Sequence, residues 1–123
     1  MTLIKAIEKI DEIKPNVYTQ EQKIDWISEL DGKTHEEVIK THNSQNDLIF
    51  APYTSNDLNV TLIIPFPHDN IYVLYLGAQI DLANADISRY NNSIQTFYTA
   101  WNDFYAWYNR THLPVQKGGW KIF

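Results

Sequence analysis

Large apolar side chains recur along this chain at intervals of three and four residues, the spacing that lines one face of a helix. The densest case runs from Asn91 to Asn109, where Ile94, Phe97, Tyr98, Trp101, Phe104, Tyr105 and Tyr108 share one face. As a helix this stretch is about 28 Å long, and its rings carry enough apolar area to form the principal wall of a small core. A cap at Asn92 or Ser93, preceded by turn residues from Ser88, starts it, and Leu113-Pro114 closes it. Trp107 falls off the stripe and is the residue here placed to meet a neighbouring subunit.

Three further helices follow from the same rule. Thr2 caps a first helix running to about Ile13, with Ile4, Ile7, Ile10 and Ile13 on one side and Pro15 ending it. Thr19 with Gln22 fits a capping box for a second, striped by Ile24, Ile27 and Leu30. Asp31-Gly32 is a stop signal, yet the period continues to Val38 and Ile39, which predicts a kinked continuation to about Thr41. Asp69 or Asn70 caps a third helix from Ile71 to Ala85, apolar over more than one stripe and therefore buried on two sides. It forms an antiparallel hairpin with the fourth.

Between the second and third helices, residues 42–68 are rich in Asn, Asp, Ser and Pro and read as a long exposed loop. Leu48–Phe50 and the β-branched run Leu58–Ile64 are the only strand signals, and a short β-hairpin made from them would be the only sheet. Phe50 and Tyr53, two aromatic residues of this loop, are assigned to contact with a subunit or other partner. The fold class read from the pattern is mainly α: one domain, residues 1–112, built as a small four-helix bundle with loop 42–68, then an extended C-terminal arm, residues 113–123.

Composition narrows the function. The 123 residues suffice for one core. With no cysteine, disulfides, thiolate nucleophiles and Cys-type zinc sites are excluded. Net charge is −5, and its distribution is uneven: residues 1–47 carry −4, residues 48–109 another −4, and residues 110–123 carry +3. An acidic body argues against a protein that grips nucleic-acid phosphates. No run reaches the roughly 20 apolar residues of a membrane span, and the charged N-terminal stretch is not a signal peptide. No membrane partner is expected.

Catalytic constellations are not found. His35-Glu36 begins a zincin pattern, but position 39 is Ile, and His35 with His42 gives only two ligands. A metal enzyme built on that pair is the only enzymatic reading the residues offer, and the histidines, including His68 and His112, read instead as solvated. No Gly-x-Ser-x-Gly occurs, and four scattered glycines cannot make a phosphate loop. Asp81 and Asp86 are five apart, off-face on a helix, and read as turn and surface acids. No cofactor and no catalytic residue is assigned, and the protein is expected not to be an enzyme. The arm is different. Gly118 and Gly119 hinge a segment in which Lys117 and Lys121 flank Trp120, Ile122 and Phe123, apolar groups costly to expose and typical of interface anchors. Either it folds back onto the bundle or it inserts into another protein.

Several runs carry a resemblance. Arg89-Tyr90-Asn91-Asn92-Ser93-Ile94, Phe97, and Tyr108-Asn109-Arg110-Thr111-His112-Leu113-Pro114 resemble small structural proteins of tailed bacteriophages infecting Gram-positive bacteria. Lys14-Pro15-Asn16, Tyr18 to Lys23, Trp26 to Gly32, Tyr72-Val73 and Ala78 to Asp81 match the same group, so the likeness covers nearly the whole length. The group is that of head–tail connector, or adaptor, proteins.

The resemblance implies a helical bundle with a protruding loop and an extended arm. It also implies a self-assembled ring matched to the portal's twelvefold symmetry, located in the virion neck after synthesis in the host cytoplasm. The portal protein, and a next neck, stopper or tail protein, would be its partners, and genome DNA would pass through the channel without specific binding. The portal-binding role falls on Lys117, Gly118, Gly119, Trp120, Lys121, Ile122 and Phe123, and more weakly on the loop from Asn43 to Asn59. The alternatives are another neck or tail-completion component, such as a stopper, and a small acidic regulatory protein that binds a host factor.

Overall fold

Four helices running back and forth make the body in a computed structural model that describes residues 1–39 and 50–112. They are α1 (Leu3–Ile13), α2 (Gln20–Thr34), α3 (Ile71–Ala83) and α4 (Ile87–Thr111). The chain is mainly helical, as its periodicity predicts. The arm, residues 113–123, and residues 42–49 of the loop lie outside the described residues.

Local signals set the first two helices. The Thr2 hydroxyl accepts the Lys5 N–H, and the Thr19 hydroxyl accepts that of Gln22 at 3.1 Å. Leu3, Ala6, Ile7 and Ile10 are buried, but Ile13, placed on the same stripe by sequence, is 69 % exposed because it is the last residue of α1 and borders an open cleft. α2 runs straight through Gly32 and continues as a π-helical turn, His35–Ile39. The wider turn re-aims the register and sends both His35 and Val38 inward. The stop signal fails because tertiary packing outweighs the glycine: the Phe50 ring lies over Gly32, 3.6 Å from where a Cβ would stand.

The segment 50–68 corrects the sequence reading. It is not an exposed loop throughout, and among the described residues there is no strand. Thr54 and Asp57 close a capping box around a 3-10 turn, Ser55–Asp57. The following residues lie along the N-terminus instead of pairing with a hairpin partner: Leu3 N–H donates to the Val60 carbonyl at 3.0 Å and Leu62 N–H to the Met1 carbonyl at 2.9 Å, with one isolated bridge between Thr2 and Thr61. Leu62 and Ile64 are consequently buried.

The centre of the core is α3, not the aromatic stretch of α4. It touches α1, α2 and α4, and nine of its thirteen residues are buried, Tyr72, Leu76, Ala78 and Ile80 completely. Asn70 is its N-cap position but makes no side-chain cap, while Asp69 lies 3.3 Å from the Met1 amino group. Gly77 is where α1 comes close, with Ile10 Cδ1 3.7 Å from a would-be Cβ.

α4 starts at Ile87 with Asp86 as its N-cap, six or seven residues before the caps read from the sequence at Asn92 or Ser93. Ala85 takes a left-handed φ of 58°, and the Asp86 carboxylate accepts the Arg89 N–H, so the turn is Asn84–Asp86 and the residues from Ser88 onward are helical. Of the seven-residue stripe, Phe97, Phe104 and Tyr108 are buried, and Ile94 and Trp101 are half-buried. Tyr98 and Tyr105 stay 54 % and 37 % exposed. A stripe that wide cannot fit against a single helix, so its outer edge stands clear of α3.

Candidate functional site: buried acid anchors and exposed helix flanks

Two buried carboxylates hold the helices together, and neither was legible as buried in the sequence. Asp31 accepts the Tyr72 hydroxyl at 2.6 Å, the Tyr53 hydroxyl at 2.6 Å and the Ile63 N–H at 3.3 Å. The Tyr72 oxygen in turn accepts the Ile64 N–H at 2.7 Å, and the Tyr53 N–H donates to Ser28 Oγ at 2.9 Å. Burial raises the Asp31 pKa above the ordinary carboxylate value despite these three donors, and burial together with the facing carboxylate raises both phenols. No cation among the described residues pairs with Asp31. Its chemistry is that of an anchor. It ties segment 50–64 to α2 and α3.

Asp81, expected at a turn or the surface, is buried instead. Its carboxylate takes the Lys14 ammonium at 2.7 Å and the Ser93 hydroxyl at 2.6 Å, joining the end of α1, α3 and α4. Burial alone would raise its pKa, but the Lys14 ammonium and the Ser93 hydroxyl outweigh burial and hold it below the usual value. Nearby, Tyr18 Oη donates to Asn84 Oδ1 at 2.6 Å, so the α1–α2 link and the α3–α4 turn meet at one end of the bundle. Periodicity places both on an inward face but does not say how deeply that face is covered. Asp31 follows Ile27 by four and precedes Thr34 and Val38 by three and seven, all inward positions, and Asp81 follows Gly77 by four on the inner face of α3.

His35, buried, and His68, half-buried, depart from the solvated reading; His112 is exposed, as that reading has it, and His42 lies outside the described residues. His35 is buried beside Phe50, His68 packs against Phe104 and Trp107 with ring centroids 5.8 and 5.0 Å away, and His112 stacks on Tyr108 at 3.8 Å. Among the described residues no three His, Asp or Glu side chains gather to hold a metal ion, and no helix is long and apolar enough to cross a membrane.

The sequence-derived contact residues fall in two places. Phe50 and Tyr53 stack edge to face, 5.3 Å apart, and both are half-buried over α2. Trp107 is half-buried against His68 and Phe104, at the end of α4 from which the chain enters residues 113–123. Lys117, Gly118, Gly119, Trp120, Lys121, Ile122 and Phe123 lie outside the described residues.

Two clefts flank α4. One, about 300 Å³, lies toward α2 and is lined by Leu30, Tyr75, Ile94, Tyr98 and Trp101; burial pushes the Tyr75 phenol there up to about 12. The other, about 530 Å³, lies toward α1 over Gly77 and is lined by Ile10, Ile13, Leu74 and Thr96 together with the Lys14–Asp81 pair. The larger cleft also holds Asp86, and each of its two carboxylates has a cation beside it, Lys14 at Asp81 and Arg89 at Asp86. No protein-family model, curated protein or solved structure matches the chain.

Proposed function

We propose that the protein is a non-enzymatic structural component of a tailed-bacteriophage neck: a connector that forms a ring under the portal, joins head to tail and lets DNA pass. The observation that carries this reading is the set of residue runs that resemble such connectors. Two of them, Arg89–Ile94 and Tyr108–Pro114, mark the two ends of α4. That helix therefore spans the body and delivers the segment 113–123, whose Trp120, Ile122 and Phe123 between lysines have the composition of an interface anchor. The portal is the partner assigned to this arm, with a further neck or stopper protein below.

The charge pattern supports the same reading. A body of net −8 over residues 1–109 repels DNA phosphates and keeps a channel from gripping its cargo. The buried anchors at Asp31 and Asp81 suit a rigid ring component, since both tie helices together. Purified portal rings mixed with the full chain and with a chain ending at His112 provide the test. The full chain should co-sediment with the rings and the shortened one should not; equal binding by both would sink the arm assignment, and no binding by either would sink the neck reading.

A further inference from the structure

The outward side of α4 has a composition unlike the other helices. Between Arg89 and Arg110 its only charged residue is Asp103, whereas the much shorter α1 carries Lys5, Glu8, Lys9, Asp11 and Glu12. On the flank toward α2, Ile87, Tyr98 and Tyr105 are 57 %, 54 % and 37 % exposed. They are spaced eleven and seven residues apart, both close to whole numbers of helical turns, so they form one ridge about 27 Å long. Thr96, two residues from Tyr98 and so about 200° around the helix, lines the opposite cleft. Thus α4 carries a protruding aromatic ridge on one side and borders an open groove on the other.

The groove matches the ridge in chemistry as well as position. Ile10, Ile13 and Leu74 supply apolar walls for a phenol ring, and Asn70, Ser93 and Thr96 supply polar atoms within the same cleft for its hydroxyl. Its charges are paired internally, Lys14 with Asp81 at 2.7 Å and Arg89 with Asp86 at 3.4 Å. Copies with a body of −8 repel one another wherever acids face acids. They can meet along a charge-poor ridge and a charge-balanced groove. Two different surfaces on opposite sides of one subunit make a heterologous contact, the kind that closes into rings.

We infer that copies of this chain associate head to tail, the Ile87–Tyr98–Tyr105 ridge of one packing into the groove between α1 and α4 of the next. This deepens the ring reading and rests on it for the closure of the assembly, but the contact itself is tested without a portal. Light scattering across a wide concentration range should show the full chain assembling beyond the monomer. Tyr98→Glu with Tyr105→Glu removes the ridge, and Ile13→Glu with Thr96→Glu blocks the groove; all four positions are exposed, and circular dichroism checks that each variant keeps its helices. Each variant alone should lose every species above the monomer. Mixed together they should form a one-to-one dimer, since each retains the surface the other lacks. A parent chain that stays monomeric throughout, variants that assemble like the parent, or a mixture that remains monomeric would each overturn the inference. Portal binding separates the two claims: rings that bind the parent while both variants still self-associate leave the neck reading standing and remove this interface. Self-association through these faces without portal binding does the reverse.

Discussion

At Asp31 a fully buried carboxylate receives two phenol hydroxyls and a backbone N–H, and burial still dominates its titration. Removing it strands the Tyr53 and Tyr72 hydroxyls without an acceptor. Asp31→Ala should therefore cost about 2–4 kcal/mol in urea unfolding at neutral pH, and Asp31→Asn, which keeps an acceptor, clearly less. The sign of its pH dependence is opposite to that of Asp81. A raised folded-state pKa means that Asp31 contributes most below its unfolded value near ~3.9 and loses that contribution as pH rises through its folded value. Asp81, held low by Lys14 and Ser93, contributes above the unfolded value and loses its contribution as pH falls through its lowered one. Thermal midpoints measured from about pH 3 to pH 8 should show a flatter neutral-side slope in Asp31→Asn and a smaller acid loss in Asp81→Asn. Identical profiles for the two variants would contradict the assignment.

Among the elements, α4 offers the sharpest contrast between pattern and packing. Its stripe was readable as a helix face, but one face covers two environments. Phe104, fully buried among Trp101, Trp107, Tyr108 and His68, should cost about 3–5 kcal/mol when changed to Ala. Tyr98→Ala, on the exposed ridge, should cost less than about 1 kcal/mol; chemical denaturation of the two variants side by side distinguishes them. The start of the helix is equally testable. Asp86→Ala should lose a cap worth about 1 kcal/mol, while Asn92→Ala, at a position named as a cap by sequence alone, should change stability little. Just before it, Ala85 at φ 58° occupies a conformation that disfavours a Cβ. Ala85→Gly should raise the melting temperature, by at most the equivalent of about 1 kcal/mol, because glycine's larger unfolded-state entropy offsets part of the relieved strain.

At the scale of the whole molecule, cross-links between helices distant in sequence hold the arrangement. Lys14 reaches Asp81 across sixty-seven residues, with Asp81 almost wholly buried, so Lys14→Met should destabilise by roughly 2–4 kcal/mol by leaving a buried charge unpaired. Lys23 reaches Asp11 at 2.6 Å; Asp11 is half-exposed but Lys23 is buried, so Asp11→Ala, which leaves that ammonium unpaired, should cost about 1–3 kcal/mol in the same unfolding measurement. Much of the bundle was legible in the residues themselves: four helices and the Thr2 and Thr19 caps. Those features depend on neighbours within one or two turns, and the chain carries that information locally. Tertiary structure alone decided which carboxylates are buried, that α3 and not the aromatic α4 is the centre, that residues 58–62 pair with the N-terminus, and that Tyr98 and Tyr105 stay outside. Each of those outcomes depends on which surface another part of the chain happens to cover. Periodicity names a face, and only packing determines how much of that face finds a partner.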